Sequence, residues 1–298
     1  IMANGTTRLS ITEFDFDRVK SNLKTFLKAQ TEFKDYDFEG SGMNILLDTL
    51  AYNTHYLGFN ANMLANEMFL DSAALRTSVV SHAKTLGYEP SSCRSPIATV
   101  NISLTTTSPT KTMPAGTAFT SSVDGTSYQF VTIADVTASN IGNVVPFDST
   151  NLYEGTYVTV KYIVDTSDVE QRFILTDNRA DTTTLRVRVQ TSVGDSTVTT
   201  YTKATDITQL SATSSVYFLQ EVENGRFEVY FGDDVVSKSL SDGNVVILNY
   251  VVTNKTAANG ASSFSAPSTI DGVSTISTTT VTSASGGAEP ESLKSIKL

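Results

Sequence analysis

Few residues in this sequence have types and spacing suited to chemistry. A catalytic or metal site needs a nucleophile with a base, paired carboxylates in a cleft, or clustered ligands. The two histidines, His55 and His82, fall in predicted helices, and neither has a histidine partner four residues along. Cys93 is the only cysteine, which excludes an internal disulfide and a multi-cysteine metal site. We expect both histidines to be packed or surface residues of helices.

The adjacent carboxylates Asp233 and Asp234 are the most catalytic-looking feature, because acids that follow a strand can bind a cation or share a proton. However, adjacent side chains at a strand end diverge, and no calcium loop with a distal glutamate follows. The sequence also lacks a phosphate loop, a dinucleotide fingerprint and a nucleophile elbow. We predict a turn with solvated acids, no cofactor and no enzymatic activity, although a glycan hydrolase with two carboxylates across a cleft stays open.

The net charge of the chain and the lengths of its apolar runs exclude several classes of binding partner. The chain has 298 residues, a net charge of −10 and a pI near 4.7, which argues against nucleic acid because affinity for duplexes comes mainly from lysine and arginine. No apolar run reaches the length of a membrane span, and residues 1–8 lack the pattern of a secretory signal. We therefore expect no nucleic acid, no membrane and no small-molecule substrate.

The elements that position these residues change type near residues 90–96. Before this point the spacing is helical, and Asp15 can cap a first helix. One stripe of that helix is apolar and comprises Phe16, Val19, Leu23, Phe26 and Leu27. Its lysines Lys20, Lys24 and Lys28 are predicted to form a solvated face.

Two further helices follow in the pattern. Ser41 can cap one that runs to about Phe69, and Asp71 can cap another that Gly87 ends. The residues predicted to face inward on the latter are Leu75, Val79, Ala83 and Leu86.

The helix that begins after Ser41 is nearly uncharged. Between Met43 and Asn66 its only charged residue is Asp48, and apolar side chains occur on every face. Such a helix must be covered on several sides, either as the centre of a self-sufficient helical domain or by helices of other chains. Exposure of its large side chains would favour aggregation, so we favour an intermolecular bundle. The candidate interface residues are Leu46, Leu47, Leu50, Leu57, Phe59, Leu64 and Phe69.

From Ile97 onward the pattern is that of short strands. Two-residue alternation occurs over 99–104, 157–162, 184–189, 227–231 and 245–250, and threonine suits the solvated face of an antiparallel sheet. Turns are marked by Asp124-Gly125, Asn140-Ile141-Gly142, Asn224-Gly225 and Asp242-Gly243.

We predict an α+β fold, with a bundle-forming helical head followed by a mainly antiparallel β region of one or more subdomains. The expected domains are 1–92, 93–261 and a Ser/Thr-rich segment 262–298. Residues 262–287 are expected to be either a linker or a strand pair that needs another chain to be buried.

Several long strings carry a family resemblance. The runs Tyr36 to Asn53, Leu70 to Val80 and Ala83 to Pro90 resemble the N-terminal signature of baseplate wedge proteins of T-even-like contractile-tailed phages. The β region is similar to the baseplate J-like pattern over the segments 113–117, 128–132, 227–234 and 241–252, although Asp234 stands where we expect glycine. Residues 286–292 resemble the segment that leads into a further C-terminal domain, which is absent here.

The resemblance implies a structural protein of the virion tail baseplate, assembled in the host cytoplasm. It implies a helical bundle formed with another wedge subunit and a second copy of the chain, with six wedges around a hub. The alternative from a different class is a carbohydrate- or receptor-binding tail fibre or adhesin. That alternative predicts clustered exposed aromatic residues, and the sequence has no tryptophan.

Overall fold

A computed structural model describes residues 15–33, 36–205 and 210–298. The sequence prediction for residues 1–8 concerns a segment outside these ranges. Lys34 and Asp35, which lie between the first two helices in the sequence, are also outside them. The chain divides into two compact units, one of residues 1–88 with 293–298 and one of residues 89–292. The division lies four residues before the domain boundary expected from composition. The order of a helical region before a mainly antiparallel β region confirms the predicted fold class.

The helical unit contains α1 (Phe16–Lys28), α2 (Met43–Glu67), α3 (Arg76–Thr85) and the short α4 (Leu293–Ile296). Asp15 is the N-cap residue of α1, as predicted, but its side chain makes no capping hydrogen bond. The predicted start of α2 was wrong by one residue, because Gly42 is its N-cap. Ser41 contributes its backbone carbonyl, which accepts from the Asn44 N–H at 3.0 Å.

The third helix closes a small core of its own. Its buried residues Val79, Val80 and Ala83 pack with Ala73 and with Ile296 of α4. The predicted cap Asp71 was wrong, since the N-cap is Leu75, and Leu75 and Leu86 are exposed rather than inward. They lie at the two ends of the helix, beyond the turns that meet α4.

Gly87 ends α3 as predicted. Its φ of +76° is in the left-handed region, its N–H donates to Lys84 O at 3.0 Å, and the Tyr88 N–H donates to Ala83 O at 3.0 Å. This pair of bonds is a Schellman motif, which satisfies the last carbonyls of a helix and favours glycine at this position.

The β unit contains three sheets built from fourteen described strands. They are β1 (Ile97–Thr105), β2 (Thr110–Met113), β3 (Ala118–Val123), β4 (Thr126–Val131), β5 (Val136–Ser139), β6 (Val144–Glu154), β7 (Thr156–Ile163), β8 (Phe173–Ile174), β9 (Ala180–Gln190), β10 (Val198–Lys203), β11 (Val216–Glu221), β12 (Phe227–Tyr230), β13 (Val245–Val252) and β14 (Ile276–Ser285). The strand orders are β14-β1-β6-β4-β3, β7-β13-β9-β10-β11-β12-β8 and β2-β5. Among the described pairs, β10 with β11 is parallel and the others are antiparallel.

Each of the two larger sheets has its own core. Alternation in β1 buries Ala98, Val100, Ile102 and Leu104 against Phe119, Phe130 and Phe147 of the five-stranded sheet. The central strand β13 of the seven-stranded sheet places Val246, Leu248 and Tyr250 in the second core. The five predicted strand segments are therefore confirmed. Alternation in β9 follows from one packed and one solvated face, whereas β13 is buried on both faces and is accordingly apolar throughout most of its length.

The Ser/Thr-rich tail corrects the expectation for residues 262–287, because it is neither a linker nor a strand pair dependent on another chain. Residues of β14 pair with β1 of the same chain, from Ile97 with Ser285 to Leu104 with Ile276. The hydroxyl groups of Thr278 and Thr280 donate to Phe264 O and Ser262 O at 2.7 and 2.8 Å. The polar side chains thus bond the preceding segment, while Ala284 is buried in the core of the sheet.

Two fully or almost fully buried carboxylates join the two larger sheets within the β unit. Glu154, at the end of β6, accepts from Thr253 Oγ1 at 2.7 Å, Asn254 N at 2.9 Å and Asn254 Nδ2 at 2.8 Å. Asp181 in β9 accepts from Ser95 N at 2.8 Å and from Thr183 N at 2.9 Å. Buried charges are tolerated only when hydrogen bonds replace lost water, and these donors do so.

Candidate partner interface

One side of α2 is covered by the chain itself. Leu47, Ala51 and Gly58 are the buried residues of α2, and α1 packs against this helix. Lys20 of α1 forms an ion pair with Asp48, the lone charged residue of the near-neutral stretch, and Lys24 pairs with Glu39. The prediction of a solvated lysine face was therefore wrong for Lys20 and Lys24, whose stems lie against the protein, and holds for Lys28.

The remaining surface of α2 exposes large apolar side chains in two separate stripes. We name the first the leucine face; it comprises Leu46, Leu50, Leu57, Leu64 and the C-cap residue Met68. We name the second the aromatic face; it comprises Ile45, Tyr52, Tyr56, Phe59 and Met63. Their exposed fractions run from 44% to 71%. At 3.6 residues per turn the two faces are about 130° apart around the helix.

A polar strip separates the two faces. Thr49, Asn53 and Asn60 lie between them on the helical projection and are exposed. The Thr49 hydroxyl donates back to Ile45 O at 2.9 Å. Because the strip interrupts the apolar surface, α2 presents two distinct seams rather than one broad patch.

Six of the seven candidate interface residues are available for contact. Leu46, Leu50, Leu57 and Leu64 lie on the leucine face and Phe59 on the aromatic face, while Phe69, just beyond the helix, is 58% exposed. Leu47 is 1% exposed, because it lies on the side of α2 that the chain covers, so it belongs to the unit's interior. Of the aromatic face, the sequence prediction included only Phe59. The other members were detectable, because Ile45, Tyr52, Tyr56, Phe59 and Met63 are spaced at 7, 4, 3 and 4 residues, a helical stripe.

Glu67, the last residue of α2, caps the N-terminus of α3. Its Oε1 accepts from Ala74 N at 2.7 Å and from Leu75 N at 3.3 Å, so it caps α3 in place of a local side chain. Burial alone would raise the pKa of Glu67, but hydrogen bonds from Ala74, Ser78 and Leu75 outweigh it and the pKa is lowered. His82 bonds through Nε2 to Glu67 O at 2.8 Å, which gives this histidine a packing role.

We expect Glu67→Ala to destabilise the helical unit by about 1 kcal/mol, the usual cost of a lost N-terminal cap. Because the folded pKa of Glu67 lies below its unfolded value, its contribution is present above the unfolded pKa and is lost as the pH falls through the folded pKa. Thermal unfolding followed by circular dichroism at 222 nm, at pH 7 and pH 4, measures both effects. Glu67→Gln is the matched control, since it retains the acceptor oxygen and removes the titration.

The chemically suggestive residues of the β unit have structural roles. Asp233 Oδ1 accepts from Val235 N at 3.1 Å, and Asp234 accepts from Ser239 N at 2.8 Å. The hydrogen bonds from Ser239 lower the pKa of Asp234. Asp234 has a φ of +64°, which explains why glycine is expected there. Both acids cap a turn, as predicted, and both are exposed.

Cys93 is buried in the β unit and lies 3.5 Å from the Ala180 carbonyl oxygen. Burial raises the pKa of its thiol to about 12. The thiol is therefore protonated and unreactive at neutral pH. Within the described ranges, no group of three His, Cys, Asp or Glu side chains is arranged to hold a metal ion.

Comparison with known proteins places the helical unit and the seven-stranded sheet in one family. Residues 15–88 match the helical domain of gp6-like baseplate wedge proteins, and residues 159–262 match the third domain of the bacteriophage baseplate wedge protein gp6. The chain is also 32% identical, over 311 aligned residues, to baseplate wedge protein gp6 of Enterobacteria phage T4. The chain belongs to the gp6-like baseplate wedge family. The resemblance identified from the sequence is thereby confirmed.

The gp6-like matches coincide with the elements described above. The helical match contains α1, α2 and α3, and the third-domain match runs from within β7 past β13. The alignment with the T4 protein covers 95% of this chain and 46% of that protein, so the chain spans about half the length of its relative. As a gp6-like protein, the chain is a component of the virion tail. Among the described helices, none combines the length and apolar character that crossing a membrane requires.

Proposed function

We propose that this chain is a structural subunit of a phage tail baseplate wedge that assembles through α2, with another wedge subunit and a second copy of itself as partners. The observation that carries the proposal is the exposure of both the leucine face and the aromatic face on one helix. Full burial of a large apolar side chain is worth about 1.5 to 3 kcal/mol, so a free surface of this kind favours association. Catalysis is not part of the proposed function.

The geometry of α2 supports two neighbours rather than one. Two helices pack against each other through one stripe of side chains on each helix. A helix with two separate apolar stripes therefore requires two partner helices. Since α1 covers another side of α2, helices of other chains are left to fill the leucine and aromatic faces. Different side-chain shapes on the two faces suit two different partners, which agrees with one copy and one distinct subunit.

The chemistry of the partners follows from the near absence of charge. Asp48 is already paired with Lys20 of the same chain, so neither face offers a charge for a partner to bind. A matching helix should therefore present leucine, isoleucine, methionine or aromatic residues to both faces. The polar strip with Asn53 and Asn60 then lies at the rim, where water can satisfy it.

The β unit serves in this proposal as a rigid spacer that carries further contacts. Its two cores are formed mainly by side chains of antiparallel strands. The buried carboxylates of Glu154 and Asp181 accept hydrogen bonds that connect the two larger sheets. Such a body transmits displacement without deforming. Contraction of a tail would then move whole units about their contacts, without making or breaking covalent bonds.

Size-exclusion chromatography with light scattering tests the proposal on the full chain. We expect the chain alone to self-associate with increasing concentration, because its apolar faces are uncovered. Co-expression with the neighbouring wedge subunit should instead give a complex of defined mass. A monomer that is insensitive to concentration and does not bind that subunit would contradict the proposed function.

A further inference from the structure

A second candidate contact lies in the β unit, at a cleft of about 360 Å³ in the seven-stranded sheet. Strand β10 pairs with β9 over Val198 to Tyr201 and then with β11 at Thr202 and Lys203, so the cleft lies where β10 parts from β9. Its apolar lining consists of the half-buried Ile133 and the small exposed parts of Leu185, Tyr201 and Tyr217, whose side chains pack mainly in the second core. The cleft therefore offers a small apolar floor.

Two arginines stand at this cleft without a carboxylate partner. Arg186 and Arg188 are exposed, and neither forms an ion pair with any residue of the described ranges. Arg188 Nη2 donates to Asn249 Oδ1 at 2.8 Å, which fixes its position, whereas the neighbouring Lys203 is neutralised by Glu89 at 2.7 Å. Free guanidinium groups beside apolar walls suit carboxylates flanking an apolar side chain.

The chain presents such a group on the loop that follows β7. Val169 is 94% exposed and lies between Asp168 and Glu170. The loop is held in place by hydrogen bonds from Glu170 N to Asp168 Oδ1 at 3.0 Å and from Gln171 Nε2 to Ile163 O at 2.8 Å. An ordered loop loses little conformational entropy on binding, so it is suited to be a ligand.

The loop does not enter the cleft of its own chain. Thr166 N donates to Asp242 Oδ1 at 3.1 Å, which holds the loop at the end of the sheet where Ile163 pairs with Val245. Because Val169 is almost fully exposed there, both the loop and the cleft are unoccupied within one chain. Their complementarity can be satisfied only between copies.

We propose that the Val169 loop of one copy docks into the Arg186–Arg188 cleft of the next, with Val169 on the apolar floor and Asp168 and Glu170 against the two guanidinium groups. The inference rests on the proposed function, which brings copies of the chain together. The contact joins different surfaces of the two copies, so repetition gives either a closed ring or a filament. It is independent of the leucine and aromatic faces.

Disulfide trapping with the full chain tests the contact. Val169→Cys and Thr200→Cys are made in separate chains; Thr200 lines the cleft, and buried Cys93 does not compete. Oxidation of the mixture should give the mixed dimer in at least about fivefold excess over either variant alone. Adding Arg186→Glu and Arg188→Glu to the Thr200→Cys chain should remove that excess. Adding Glu170→Lys to the Val169→Cys chain should then restore part of it, because one charge pair is exchanged while Asp168 still accepts the hydrogen bond that orders the loop.

Asp195→Lys, which reverses an exposed acid on another loop, is the matched control and should leave the trapped dimer unchanged. Oligomers by light scattering with no mixed disulfide would overturn this inference while leaving the proposed function standing. Loss of trapping in both reversed variants without recovery in the exchanged pair would also overturn it. A strictly monomeric chain that binds no wedge subunit would instead contradict the proposed function.

Discussion

Leu57→Asp should abolish assembly of the chain with its wedge partners while leaving the fold intact. Leu57 lies at the middle of the leucine face and is 62% exposed, so the free protein tolerates a carboxylate there. In the assembled bundle the same carboxylate would be buried without a partner, which costs several kcal/mol. We expect affinity to fall at least about a hundredfold, since 1.4 kcal/mol corresponds to a factor of ten. Co-purification with the neighbouring wedge subunit measures the effect.

Asn53→Asp is the matched control for this variant. It introduces the same carboxylate on the same helix, but on the exposed polar strip between the two faces. The control should co-purify as the wild type does, and both variants should keep the wild-type circular dichroism spectrum. Normal assembly of Leu57→Asp would show that the leucine face is not an interface.

Glu154→Leu should destabilise the β unit by about 1 to 3 kcal/mol. The side chain is 0% exposed, and its removal leaves Thr253 Oγ1, Asn254 N and Asn254 Nδ2 without their acceptor. Thr253 is buried, and a buried group that loses its partner costs about 1 to 3 kcal/mol, whereas Asn254 is exposed, so water can replace the acceptor of its two donors. Hydrogen exchange measured by mass spectrometry should show faster exchange in β6 and β13, the strands that end at this contact.

Two comparisons make the effect specific. Glu154→Gln keeps an oxygen acceptor at the same place and should lose clearly less stability than Glu154→Leu. Exchange in α2 should be unchanged in both variants, because α2 belongs to the other unit. Unaltered exchange in β6 and β13 for Glu154→Leu would show that the buried carboxylate does not stabilise the junction.

Local periodicity was sufficient to predict α1, α2, α3 and five of the fourteen described strands. The Phe16 to Leu27 stripe predicted α1, and alternation from Thr99 to Leu104 predicted β1, because burial of one face imposes these periods wherever the partner lies. It could not predict the partner of a strand. The pairing of β1 with β14 joins residues about 180 positions apart. Composition alone therefore left the tail compatible with a linker.

The candidate interface was predictable in kind but not in orientation. The near absence of charge from Met43 to Asn66 showed that α2 needed cover, whereas the side covered by the chain itself depends on tertiary contacts such as Lys20 with Asp48. This is why Leu47 was taken for an interface residue and Tyr52 was not. Capping was missed for a similar reason, since Glu67 reaches α3 across a connection rather than from within a local motif.

The packing of Ile296 on Val79 and Val80 has a consequence for synthesis on the ribosome. The helical core cannot close until residues 293–298 are translated, after the roughly 200 residues of the intervening unit. At elongation rates of about 5 to 20 residues per second, that interval lasts about 10 to 40 s. Nascent chains therefore carry α3 without its final cover while the strands are made. The core of the helical unit thus closes only after the strands of the β unit have been synthesised.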